Sequence, residues 1–263
     1  MNISVIQFDS FPGKPILNFN KVEKILSGFD IGMTDMVVFP EMTDTGYSME
    51  EIRKNALIWK EETLEFIKKI AVENQILIMI GLSEKSDDNI FNTIVTIDQK
   101  GNIIYKYRKT HLVTISPLCE HLTISPGASL GLFAHNQVKM GIMTCYELRF
   151  PEIARSLTLQ GAQIIFVPSA WPEVRKDHFI TLLKARAIEN QVFIVSANRV
   201  GNDEGIVFAG NSLIIDPYGK ILSQGSDYEE MVLSSTIDFR LIEQSRKQIS
   251  ALKERRPDLY ALI

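Results

Sequence analysis

The stretch Met140-Gly-Ile-Met-Thr-Cys145-Tyr-Glu-Leu-Arg-Phe-Pro-Glu152 decides how this chain is read. Residues 138–143 are an apolar run of strand length, and an amphipathic helical pattern follows over residues 152–160. A cysteine stands where strand gives way to helix. Loops at strand ends, held by a rigid sheet, are where catalytic groups are usually presented. A thiol near a helix N-terminus and a lysine has its thiolate favoured, which makes it a nucleophile near neutral pH. A single free cysteine is also often just a small core residue. That reading suits Cys119 better than Cys145, which Tyr146, Glu147 and Arg149 crowd with polar groups.

Outward from this stretch the pattern alternates. Residues 3–8, 36–39, 76–80, 92–97 and 103–107 are short, apolar and rich in β-branched side chains, and read as strands. Residues 164–167, 192–196, 212–215 and 231–237 read likewise. Helical spacing over residues 14–27 puts Ile16, Phe19, Val22, Ile25 and Leu26 on one face. Over residues 61–73 it groups Leu64, Ile67, Ile70 and Ala71, and residues 177–190 supply a further helix. Two hairpin loops, Asp98-Gln-Lys-Gly101 and Asp216-Pro-Tyr-Gly219, each sit between strand-like runs with a glycine free to take positive φ. One falls in each half, which hints at pseudo-symmetric halves. No Pro/Ser-rich linker or charge block divides the chain. The expectation is one α/β domain over residues 1–263 with mixed sheets, and a C-terminal arm at about 239–263 that packs on a second subunit.

Composition excludes several classes. With 263 residues, 45% of them hydrophobic and 23% charged, the chain has the balance of an ordinary globular protein. Its net charge of -4 offers no broad cationic field, so nucleic acid is not expected as a partner. The apolar runs are too short to cross a bilayer, and the first residues lack the pattern of a secretory signal. Two cysteines make no disulfide framework, which fits a reducing cytoplasm. The histidines are scattered, and Cys119-Glu-His121 is only a lone pair of ligand types, so no metal and no cofactor is expected.

Two more strand ends carry chemistry. Val37-Val-Phe-Pro-Glu41 places a carboxylate directly after a buried strand, where partial desolvation raises its pKa and makes it a usable base. Taken alone, it reads more readily as a solvated loop or capping glutamate. In Tyr105-Lys-Tyr-Arg-Lys109-Thr-His111-Leu112 a strand ends in basic groups. Lys109 suits stabilisation of a developing oxyanion, while Lys106 and Arg108 read as a solvated turn.

Together the three segments resemble the nitrilase (carbon–nitrogen hydrolase) superfamily. Its Phe-Pro-Glu, Arg-Lys-x-His-Leu and Cys-Tyr-x-x-Arg-Phe-Pro-Glu motifs appear in order at Phe39–Glu41, Arg108–Leu112 and Cys145–Glu152. The resemblance runs over nearly the whole chain. It implies an α/β fold, a four-layer α-β-β-α sandwich with two mixed β-sheets, that dimerises through helices. It also implies Glu41 as general base, Lys109 as oxyanion-stabilising cation and Cys145 as nucleophile, and it casts Glu120, six residues before Pro126-Gly127, as the group that positions Lys109. The backbone N–H of Tyr146 is expected as a second oxyanion donor.

The segments around Trp171 and 185–191 look closest to the ω-amidase branch, which hydrolyses monoamides of dicarboxylic acids such as α-ketoglutaramate. There Pro168-Ser-Ala-Trp171 departs from the branch's usual Pro-Ala-Asn-Trp. For such a small-molecule substrate, Arg149 is a candidate fork for the far carboxylate, or else a structural ion pair with Glu147 or Glu152. Tyr47, Trp171, Phe11 and Phe208 are candidate pocket walls, or else core. An N-carbamoyl amino acid hydrolase or a nitrilase would use the same three catalytic residues, and acyl transfer to an amine would pass through the same thioester. A catalytically idle dimeric binding module is the alternative of another class.

Overall fold

The protein was studied as a computed structural model that describes residues 1–28, 33–58 and 61–260. In chain order the first strands are β1 (Asn2–Gln7), β2 (Met36–Val38), β3 (Leu57–Ile58), β4 (Leu77–Ser86), β5 (Asn89–Ile97) and β6 (Ile103–Arg108). Next come β7 (Gly131–His135), β8 (Val138–Ile142), β9 (Ile164–Phe166) and β10 (Phe193–Ser196). A small hairpin, β11 (Asn202–Asp203) with β12 (Ile206–Val207), precedes β13 (Leu213–Ile215), β14 (Ile221–Gln224) and β15 (Met231–Thr236). The α-helices are α1 (Pro15–Leu26), α2 (Met49–Asn55), α3 (Glu61–Asn74), α4 (Pro151–Leu159), α5 (Lys176–Asn190) and α6 (Arg240–Gln248).

One sheet runs β15-β1-β2-β4-β5-β6 with β3 beside β4, and the other runs β14-β13-β10-β9-β8-β7. Read from β15, successive pairings in the first sheet are antiparallel, parallel, parallel, antiparallel, antiparallel. Read from β7, the second sheet repeats that order. The two Asp-x-x-Gly loops close the matching β5–β6 and β13–β14 hairpins, with Gly101 at φ 79° and Gly219 at φ 81°. The hint of two pseudo-symmetric halves is therefore a property of the fold.

The layers follow from the period-two alternation of strand side chains. Met36, Val38, Ile164 and Phe166 point between the sheets, where they meet Ile3, Val5, Met79, Ile142 and Val195 in one core cluster. Their neighbours point outward. Val37 packs with Val22 and Leu26 of α1 and Ile67 and Ile70 of α3. Ile165 packs with Ile153 and Leu157 of α4 and Phe179 and Leu183 of α5. This is an α-β-β-α sandwich.

Some expectations are corrected. Ile16, assigned to the buried face of α1, is 76% exposed, because the helix meets the sheet through Val22 and Leu26. Lys106 and Arg108 are not a solvated turn. Both pair with Glu84, itself 3% exposed, and Arg108 lies 3.7 Å from the centre of the Phe91 ring. In the C-terminal segment, Ile242 is buried in the chain's own core, Phe239 stacks edge-on against Phe193, and Gln191 donates to the carbonyls of Ser245 and Ile249. Beyond Ile249 the segment is mostly exposed, with Arg255 and Tyr260 near Arg155 of α4, and residues 261–263 of the expected arm lie outside the described residues. No described helix is long and apolar enough to cross a membrane.

Candidate active site

The three motif segments meet at one end of the sandwich. Glu41 follows β2, Lys109 follows β6 directly, and Cys145 lies just beyond β8. The sheets bring these chain positions together although 68 residues separate the first two. At the centre is the Lys109 ammonium, fully buried. It donates to Glu41 Oε1 at 2.9 Å and to the two carboxylate oxygens of Glu120 at 2.8 and 2.9 Å. Burial alone disfavours this ammonium, but Glu120 and Glu41 outweigh it and hold its pKa above the ordinary lysine value.

Both carboxylates are held by further directed donors. Glu41 accepts from Asn92 Nδ2 at 2.6 Å and from the Ala170 N–H at 2.8 Å, and its charge acts on the ionisation of the Cys145 thiol. Glu120 accepts from the Tyr47 hydroxyl at 2.5 Å and the Val113 N–H at 2.7 Å. Burial raises the Glu41 pKa, with Lys109 opposing. Two carboxylates and one ammonium in a dry site suit a shared proton: the site can accept one from the thiol without building up charge.

The sequence suggests a thiol already biased toward thiolate, and the structure corrects this. Cys145 is 4% exposed, and burial, with the Glu41 carboxylate next, pushes the thiol well above its ordinary pKa despite Lys109. The resting sulfur is protonated and depends on its base. Its backbone is set apart too: φ of Cys145 is 48°, in the left-handed region that costs a non-glycine residue about 1–3 kcal/mol. Its N–H donates to the Pro168 carbonyl at 3.0 Å, and a 3-10 turn over Cys145–Arg149 begins there.

Glu147 anchors that turn. It is fully buried and accepts from the Tyr107 hydroxyl at 2.7 and 2.8 Å, the Thr110 N–H at 2.7 Å, the Thr110 hydroxyl at 2.6 Å and the Thr144 N–H at 2.6 Å. Burial works against its ionised form, but these bonds together with His111 hold its pKa below the usual carboxylate range. Glu147 therefore ties the strand end carrying Lys109 to the turn carrying Cys145. The spacing Thr144-x-x-Glu147 is a helix-start signature that could have flagged it.

Cys145 opens onto a cavity of about 170 Å³, lined also by Val113, Tyr146, Arg149, Ala170, Trp171 and Arg175. Trp171 and Arg149 thus lie where expected. The Arg149 guanidinium lies 4.7 Å from the centre of the Trp171 ring and pairs with no carboxylate among the described residues. Glu147, one candidate partner, is already saturated. Tyr47, expected as a wall, stands behind Glu120 instead. It is 2% exposed, packed edge-on against Phe208, with its N–H held by Asp203 at 2.7 Å. Asp203 is in turn clamped by the buried Arg199 guanidinium. Phe208 is fully buried, and Phe11 is 46% exposed beneath Lys21. Asn92, Ala170 and Glu147 were not singled out from sequence. Among the described residues no group of three or more His, Cys, Asp or Glu side chains is placed to hold a metal ion.

Comparison with known proteins agrees with this geometry. Residues 2–247 match the family described as Carbon-nitrogen hydrolase. A 2-oxoglutaramate amidase of Bacillus subtilis is 36% identical over 259 residues, covering 98% of both chains. A nitrilase of Pyrococcus abyssi is 34% identical over 272 residues, covering 99% of each. Among solved structures, Saccharomyces cerevisiae Nit3, a member of the nitrilase superfamily, superposes with a TM-score of 0.89 at 27% identity, covering 97% of this chain and 96% of its own. The chain belongs to the carbon–nitrogen hydrolase family of the nitrilase superfamily.

Proposed function

We propose that the chain hydrolyses the terminal amide of a dicarboxylic acid monoamide, such as 2-oxoglutaramate, through a thioester on Cys145. Glu41 takes the thiol proton as sulfur attacks the amide carbonyl. The oxyanion forms against the Lys109 ammonium and the Tyr146 N–H. Preorganised donors of this kind act in a dry site at no reorganisation cost, and losing one costs about a hundredfold or more in rate. Glu41 returns the proton to the departing ammonia, then activates the water that releases the acid. Glu120 holds Lys109 in place, and Tyr47 orients Glu120 from behind. No step calls for a cofactor.

One observation carries this reading: a buried carboxylate that accepts from the Lys109 ammonium and acts on the ionisation of the Cys145 thiol, which itself lines a cavity sized for a small molecule. The substrate class rests on Arg149, whose unpaired guanidinium faces that cavity, and on the likeness to the B. subtilis 2-oxoglutaramate amidase. The likeness to the P. abyssi nitrilase supports a second reading with the same three residues. Ammonia release from 2-oxoglutaramate, an N-carbamoyl amino acid and an aliphatic nitrile separates them. Turnover confined to the nitrile or the carbamoyl compound defeats the ω-amidase assignment.

The working unit we propose is a homodimer of a cytoplasmic protein. Leu159, Ile188, Tyr218, Ile249, Leu259 and Tyr260, each 45–67% exposed, supply apolar surface on and near α4, α5 and the C-terminal arm. Sedimentation velocity checks it: a monomer at micromolar concentration refutes the dimer.

A further inference from the structure

Arg175 lines the cavity that holds Cys145 and also the neighbouring depression of about 260 Å³, so it stands at the boundary between them. It is half-buried and pairs with no carboxylate among the described residues. Of the two acidic residues nearest in sequence, Glu173 and Asp177, Glu173 accepts instead from the Tyr228 hydroxyl at 2.5 Å. Arg175 lies close enough to Arg149 to disfavour its charge, after burial the next cause holding the Arg149 pKa below the usual value.

Two arginines kept near one another without a carboxylate call for an anion between them. Both are positioned by one residue. The Trp171 ring underlies the Arg149 guanidinium, and its indole N–H donates to the Arg175 carbonyl at 2.8 Å. The charge count bounds the anion. Lys109, Arg149 and Arg175 oppose Glu41 and Glu120, leaving one excess positive charge wherever the proton shared by Glu41 and Cys145 resides. One substrate carboxylate brings the site to neutrality, and a second would overshoot.

A single carboxylate occupies one guanidinium fork. A 2-oxo acid presents a third, nearly coplanar oxygen beside that carboxylate, which one fork leaves without a donor. Resting on the function proposed above, we infer that Arg175 is a specificity-determining residue: it donates to the 2-oxo oxygen while Arg149 takes the carboxylate. The enzyme thereby selects 2-oxo acid amides over amides of the plain acids.

Glutaramate has the chain length of 2-oxoglutaramate and lacks only the keto oxygen, so the ratio of their kcat/KM values isolates this contact. In Arg175→Met and Arg175→Lys that ratio falls by about tenfold or more, as expected for losing a donor of this kind. The urea unfolding midpoint of both variants, unchanged from wild type, serves as the control for folding. A ratio that holds within about twofold, or an equal loss on both substrates, overturns the assignment of Arg175 and leaves the ω-amidase reading standing. Wild-type enzyme that hydrolyses neither acid amide overturns both.

Discussion

Replacing Lys109 by methionine removes the only cation touching Glu41 and Glu120 among the described residues, with a side chain of similar length. Three hydrogen bonds of 2.9, 2.8 and 2.9 Å disappear, and two carboxylates with no solvent exposure are left facing each other. Breaking a buried ion pair by deleting one partner costs about 3–5 kcal/mol. That is a large share of the roughly 5–15 kcal/mol that stabilises a domain. The folded variant can relieve the strain by binding a proton. The Glu41 pKa, already raised by burial with Lys109 opposing, moves further up when Lys109 is gone. A carboxyl whose folded pKa lies above its unfolded value favours the folded state at low pH, and that advantage is lost as pH rises through the folded pKa. Urea unfolding of wild type and Lys109→Met at pH 5 and pH 8 should show a stability gap that is wider at pH 8. Amide hydrolysis should be lost at both. Equal stability of the two proteins at pH 8 refutes the claim that the ammonium is what allows two buried carboxylates.

Glu41→Gln keeps the shape of the side chain and removes the base, so kcat/KM should fall by about a thousandfold while the unfolding midpoint stays near wild type. Retained activity assigns the base elsewhere. Because burial keeps the Cys145 thiol protonated, iodoacetamide should modify it ever faster from pH 6 to 9; a rate flat across that range means a preformed thiolate. Arg149→Met should raise KM for 2-oxoglutaramate by about tenfold or more and spare an uncharged amide, and equal effects on both remove Arg149 from substrate recognition. Asp44 is fully buried, and burial raises its pKa to about 6. It should therefore lower wild-type stability by roughly 2 kcal/mol as pH climbs from 4 to 7. Asp44→Asn should flatten that slope, as pH-dependent urea titrations would reveal.

The strand-and-helix order was readable because both sheets are built from short apolar runs whose neighbours alternate between the sheet interface and a helix layer. Where that signal is weak, the reading failed. Gly131-Leu-Phe-Ala-His135 has too few β-branched residues to announce β7, and the second half of β4 carries Ser83, Glu84 and Lys85, so its turn at Asp87 passed unnoticed. In the site, the strand-end motifs were legible because each pairs a buried strand with a polar residue next to it. The supporting groups were not. Asn92 reaches Glu41 across 51 residues, and Tyr47 reaches Glu120 across 73. Local spacing carries no trace of such contacts. A buried tyrosine whose hydroxyl serves a carboxylate is indistinguishable in sequence from one lining a pocket. Nothing in the sequence marks Arg175, because the groove it faces is formed by segments near Ile115 and Val207 that only the fold brings together.

The account stands on covalent capture at a single sulfur. Rapid acid quench after mixing enzyme with 2-oxoglutaramate, followed by peptide mass mapping, should find the acyl group on the peptide bearing Cys145. The mass gain should equal the substrate less ammonia, and Cys119 should be unmodified. Turnover that proceeds normally with Cys145 never acylated, or that survives Cys145→Ala, contradicts it.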